Sequence, residues 1–181
     1  MRLIDKTPKM SRRTLLRTGS MTAAAVAVVP SPAITGMAWA AAPAAVSADT
    51  FATLVKMARD IYPHDKLSDQ HYAKVMEGLD AAAKDDAAAK ALLEEGVAGL
   101  NTAAIGMKYA GYAEVSDEKE RVAILSGIEA TPFFQKVRGS LVTGIYNNPE
   151  VWAILGYEGE SASKGGYINR GFDDIDWLSQ G

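Results

Sequence analysis

The sequence predicts an all-α fold: a compact bundle of about five or six helices, followed by an irregular C-terminal segment rich in glycine and aromatic residues. Three observations carry this expectation. Apolar residues recur at three-and-four spacing through most of residues 49–156. Capping pairs such as Thr131-Pro132 and Asn148-Pro149 punctuate that pattern. No run of alternating apolar and polar residues argues for a sheet.

The chain opens on a segment with a different character. Ser11-Arg12-Arg13-Thr14-Leu15-Leu16-Arg17 precedes an Ala- and Val-rich run over 21–29. Paired arginines before a mild apolar run are the address read by the twin-arginine translocase, which carries folded cargo. The run is shorter than the roughly 20 apolar residues a membrane span needs, and Pro30 and Pro32 break it. Gly19, Ser20 and Thr22 keep it too weakly apolar for the general secretory route. Ala38-Trp39-Ala40 puts small residues where a signal peptidase needs them, so cleavage is expected between Ala40 and Ala41. The expected organisation is a twin-arginine signal peptide over 1–40, a flexible Ala/Pro/Ser spacer over 41–48, a helical domain over 49–156 and a docking segment over 157–181. The expected location is the periplasm, with any membrane association made through partners.

In the helical domain, Asp49 is placed to cap a helix whose buried stripe is Phe51, Leu54, Val55, Ala58, Ile61 and Tyr62. Pro63 ends it, because the residue before a proline is pushed out of the helical region. Ser68 opens a second helix with Tyr72, Val75, Met76 and Leu79 on one face. Its Ala-rich continuation to about Leu100 has high helix propensity, with a break near Asp85-Asp86. Gly106, Tyr109, Gly111 and Tyr112 mark a connection. Ser116 or Asp117 then caps a helix with the stripe Val122, Leu125 and Ile128, and Asp117 and Glu120 stand at capping-box spacing. Thr131-Pro132 starts a helix lined by Phe133, Phe134, Val137, Leu141 and Ile145, and Asn148-Pro149 starts a short one through Val151, Trp152 and Leu155.

Charge and composition narrow the function. The first 40 residues hold six of the 19 Lys/Arg and one of the 22 Asp/Glu, which leaves 13 basic against 21 acidic residues and a net charge of −8 on the remainder. Such a surface repels phosphate backbones and argues against nucleic-acid binding. The sequence has no cysteine, which rules out thiolate metal sites, covalent haem attachment and Cys-ligated clusters. A chain exported folded without such ligands is most economically the escort of a cofactor held by another polypeptide.

Candidate chemistry within the chain is sparse. His64, Asp65, Asp69 and His71 invite a metal or small-enzyme reading, but they fall at a loop and a helix start, where Asp is ordinarily a cap. Gly159-x-Ser161-x-Ser163 lacks the last glycine of a nucleophile elbow. Lys164 is followed by Gly165 rather than the Ser or Thr of a phosphate loop. Glu158 and Glu160 lie in a loop of an acidic protein, where carboxylates face solvent. No catalytic, cofactor or metal residue is therefore assigned. Beyond Gly156, the rings of Tyr157, Tyr167, Phe172 and Trp177 must either fold back on the bundle or enter a partner's pockets. Tyr, Trp and Arg are the usual anchors there, so Trp152, Tyr157, Tyr167, Arg170, Phe172 and Trp177 form the candidate partner-binding set.

Three parts of the chain resemble the gluconate 2-dehydrogenase subunit 3 family, the small subunits of exported flavoprotein dehydrogenases. They are the arginine-pair signal, Ala58-Arg59-Asp60-Ile61-Tyr62-Pro63-His64-Asp65, and Gly144-Ile145-Tyr146-Asn147-Asn148-Pro149 with Trp152 and Gly156-Tyr157-Glu158-Gly159. The likeness is diffuse in the Ala-rich middle, and the family's Tyr-Gly-Gly-Asn-like element is absent after the proline. The resemblance implies a non-catalytic subunit beside a large FAD-binding sugar or alcohol dehydrogenase of the glucose–methanol–choline type, with a separate cytochrome c as electron outlet. It also implies that this chain assists maturation and export of the large subunit. The alternative from the residues alone is a stand-alone periplasmic binding or structural protein.

Overall fold

The computed structural model describes residues 42–168, and these carry six α-helices and two short 3-10 turns without a strand. The helices are α1 (Ala48–Ile61), α2 (Asp69–Ala83), α3 (Ala87–Gly106), α4 (Glu118–Ile128), α5 (Pro132–Tyr146) and α6 (Pro149–Leu155). Helices α1, α2, α3 and α5 each contact the other three. Helix α4 packs on α1 and α3, while α6 rests on α5. The all-α bundle expected from periodicity is the observed architecture. The signal residues Arg12 and Arg13, the cleavage pair Ala40 and Ala41, and Arg170, Phe172 and Trp177 lie outside the described residues.

Most helix boundaries follow local chemistry legible in the chain. Asp86 accepts from the amides of Ala88 and Ala89, both at 3.0 Å, so the Ala-rich stretch breaks where two aspartates interrupt it. Thr131 caps α5 through the Phe134 amide and Asn148 caps α6 through the Glu150 amide, each with proline at the first helical position. Gly156 closes α6 in the left-handed conformation, φ 84°.

Three expectations need correction. Ser47 rather than Asp49 caps α1, its hydroxyl accepting from the Thr50 amide at 3.1 Å, while Asp49 sits in the first turn. The buried stripe of α4 is Arg121, Ile124 and Leu125, and Val122 is exposed. A buried arginine in an apolar stripe displaced the apparent phase by one residue. Asp117 does cap α4, through the Lys119 amide, but Glu120 instead accepts a hydrogen bond from the Tyr109 hydroxyl at 2.6 Å.

The supposed spacer is also tied down from Ala44 onward. The buried Asp80 carboxylate accepts the backbone N–H groups of Ala44, Ala45 and Val46, the last at 2.8 Å. Glu94 accepts from the Ser47 amide at 2.6 Å and from the Thr50 hydroxyl. A carboxylate gathering several amides is a strong charge-assisted clamp, and it seats Val46 in the core. Composition marked this stretch as mobile; two acids far away in sequence hold it.

The core is continuous from Val46 to Val151, with Leu54, Met57, Tyr72, Met76, Leu100, Val137, Leu141 and Ile145 among its buried members. Close approach of α3 and α5 requires a glycine: a Cβ at Gly96 would lie 2.2 Å from ring carbons of the buried Phe133, whereas one at Gly99 would meet nothing within 4 Å. Gly96→Ala is therefore expected to lose about 1–3 kcal/mol through overpacking, while Gly99→Ala gains about 0.5–1 kcal/mol of helix stability. Urea midpoints of the two variants check this; matching shifts would mean that the helices do not meet at Gly96.

Candidate partner-docking face

The end of the bundle where α1 runs into α2 and α5 runs into α6 gathers Tyr62, Tyr146, Trp152 and Tyr157. Its base is an ionic lock. Arg121 from α4 places Nε 3.0 and 2.9 Å from the two carboxylate oxygens of Asp60 on α1, and its Nη1 donates to the carbonyls of Val115 and Ser116. The Tyr112 hydroxyl donates to the same carboxylate at 2.8 Å. Both charged side chains are at most 10 % exposed. The chain before α4 supplies the remaining acceptors, so the guanidinium is satisfied on two sides. Removing either partner would leave an unpaired buried charge.

Immediately after Ile61, the chain leaves α1 and wraps around the hydroxyl of buried Tyr72. That hydroxyl donates to the Tyr62 carbonyl at 2.6 Å and accepts from the His64 amide at 3.2 Å. Pro63 lies between them and contributes no donor, so one phenol satisfies the turn on both sides. Arg59 completes the clamp. Its guanidinium stands over the Tyr72 ring, donates to the Leu67 carbonyl and pairs with Asp69 at 2.9 Å.

Tyr146, the last residue of α5, joins the two segments. Its ring meets Tyr62 and His64 edge-on at 5.7 and 5.6 Å between centroids, and its hydroxyl lies 2.7 Å from His64 Nε2. Trp152 on α6 donates its indole N–H to the Tyr146 carbonyl at 2.6 Å and meets the Tyr157 ring edge-on at 5.4 Å. Gly159 passes close to the same indole, and its positive φ of 94° brings the loop back over α6. The result is a connected row of Tyr62, His64, Tyr146, Trp152 and Tyr157. Tyr146 is 40 % exposed, Tyr157 52 % and Tyr167 71 %. Edge-on aromatic contacts of this kind hold rings rigid while leaving apolar area open to solvent.

Of the expected partner-binding residues, Trp152 and Tyr157 are brought together here. Tyr167 is exposed further along the loop and shares no ring contact with them among the described residues. Sequence reading placed Tyr146 in a motif without assigning it a role, although it links both segments. It missed the Asp60–Arg121–Tyr112 lock altogether, because the three residues are spread over 61 positions.

The cluster first considered for metal is drawn apart. His64 engages Tyr146, His71 bonds Ser68 through Nδ1, and Asp69 pairs with Arg59. Among the described residues, no three His, Asp or Glu side chains are grouped as metal ligands. No described helix is long and apolar enough to cross a membrane.

The phenols of this region resist ionisation. Burial raises the pKa of Tyr72 and Tyr146, and burial together with the Asp60 charge raises that of Tyr112 strongly. The folded chain therefore keeps phenolic protons that the unfolded chain releases at about pH 10. Stability from these groups is intact below that pH and declines as pH rises through and beyond it. Tyr112→Phe should flatten the decline by up to ~1.4 kcal/mol per pH unit, the equivalent of one proton. Urea unfolding between about pH 8 and 12 measures this; an unchanged slope would show that Tyr112 ionises as readily in the native protein.

No family model, curated protein or solved structure matches this chain.

Proposed function

We propose that this chain is the non-catalytic small subunit of a periplasmic FAD-dependent sugar or alcohol dehydrogenase of the glucose–methanol–choline type. In this reading it binds the folded large subunit, assists its maturation and carries it through the twin-arginine translocase. FAD belongs to the large subunit, and electrons leave through a separate cytochrome c.

One observation supports the reading above the others. The two mature segments that carry the family resemblance, 58–65 and 144–159, are far apart in sequence, yet Tyr146 joins them in one rigid, partly exposed aromatic row. Aromatic anchors held by packing are what protein interfaces use to gain contact area at little entropic cost. Tyr146 and Tyr157, backed by Trp152, are the primary contacts in this reading, with Tyr167, Arg170 and Phe172 following along the chain. Stabilisation of the large subunit requires no chemistry from this protein, since a ligand of the native state shifts folding toward it by mass action.

Expression of the large subunit with and without this chain tests the proposal. Flavin loading and periplasmic yield should both fall without it. Changing Arg12 and Arg13 to lysine should retain both subunits in the cytoplasm while leaving the complex intact. Equal loading and yield in the presence and absence of this chain would contradict the reading.

A further inference from the structure

A groove of about 600 Å3 runs between α2 and α5 and reaches the start of α6. Its two walls are antiparallel: Tyr146 at the end of α5 meets His64 just ahead of α2, and a Cβ at Gly144 would come within 2.6 Å of Val75. Each helix turns one face inward. The lining residues of α2 from His71 to Ala82 follow three-and-four spacing, as do those of α5 from Lys136 to Asn147, so each wall covers eleven residue steps, about 16 Å.

The middle of the groove and its ends differ in chemistry. Val75, Gly78, Leu79 and Gly144 make a middle that is apolar and, at the glycines, open to the close approach of another backbone. Basic groups stand at the ends. Lys74 and His71 lie at the start of α2, whereas Lys136, eight residues before Gly144 on the antiparallel wall, lies at the Ala82 end. Among the described residues no acidic side chain lines the groove, although the net charge beyond residue 40 is −8. Lys74 is bridged to Glu150 at 3.1 Å, and Lys136 takes part in no ion pair among the described residues.

We propose that this groove docks an amphipathic helix of a partner protein, about three turns long, with apolar side chains along its buried face and a carboxylate at each end of that face. Charge complementarity fixes the occupant. One acidic end meets Lys136, the other meets Lys74 and His71, and the apolar middle covers Val75 and Leu79. A cradle between two antiparallel helices suits a helix of matching length, the groove mode in which anchors recur at three-and-four spacing. A second copy is disfavoured, because each chain carries the same excess of acid. The inference rests on the groove and on charge, and stands whether or not the partner carries a flavin.

The test mixes the full chain with two stapled helical peptides of about 15 residues, which share a leucine stripe and carry either aspartate or lysine at both ends of it. Fluorescence anisotropy reads the affinity, and amide NMR shifts read the site. The aspartate peptide should bind about tenfold more tightly than the lysine peptide, against the preference that the net charge alone would set, and should shift the amides of Val75, Gly78, Ser140 and Thr143. Lys136→Glu should weaken the aspartate peptide about fivefold, with helix content unchanged by circular dichroism, and Lys136→Arg should leave its binding as in the parent. Equal affinity for the two peptides, or no shift at those amides, would overturn the proposal. Groove amides that shift when the protein alone is diluted would overturn it in favour of a second copy. Tighter binding by a free 169–181 peptide would overturn it in favour of the chain's own end, and insensitivity to Lys136→Glu would overturn the assigned groove.

Discussion

The pairing of Asp60 with Arg121 governs the part of this molecule that faces outward. An ion pair almost sealed from water is a poor source of net stability, because desolvation offsets much of the attraction. Loss of one member, however, costs about 3–5 kcal/mol, since the other charge is left stranded. That asymmetry makes the pair a device for uniqueness. Arg121 can be satisfied only when α4 lies against α1 and the 112–116 segment presents its carbonyls. With Asp60 fixed, the turn beginning one residue later has a defined starting point, and the Tyr62, Pro63 and His64 backbone can close around Tyr72.

From that fixed point, the aromatic row follows as a series of local necessities. Tyr72 supplies both a donor and an acceptor to a turn that proline has deprived of one donor. Tyr146 ends α5 within reach of His64 and leaves its carbonyl to the Trp152 indole. Each link is modest alone, but together they hold several rings in place before any partner arrives. Preorganisation of this kind lowers the ordering cost of association. At the other end of the chain's order, Asp80 and Glu94 fasten residues 44–50 to α2 and α3. The amides of residues 44–47 are thus satisfied by side chains from two different helices.

What the sequence made legible is what depends on neighbours along the chain. Proline at the first helical turn and the break near Asp85-Asp86 are short-range chemistry, and the stripe Phe133, Phe134, Val137, Leu141 and Ile145 is a clean helical period. Reading failed where a polar residue occupies a core position for reasons lying elsewhere in the fold. Arg121 interrupts its stripe because Asp60 waits across the bundle, and that interruption displaced the expected face onto Val122. Asp80 and Glu94 carry no signal along the chain, because their amide partners are 34 or more residues away. The candidate face was half legible: Trp152 and Tyr157 stood out as large rings near a loop, whereas Tyr146 gains its significance only from the meeting of α1 and α5.

In the function proposed for this bundle, its partly exposed aromatic rings are presented to a cofactor-bearing partner. Site-specific photo-crosslinking in the native host addresses it most directly, with a benzophenone amino acid placed at Tyr157 on the aromatic face or at exposed Ala98 on α3. A single covalent adduct from position 157 to an FAD-containing polypeptide, and none from position 98, is the expected result. Adducts at neither position, or equally at both, would contradict it.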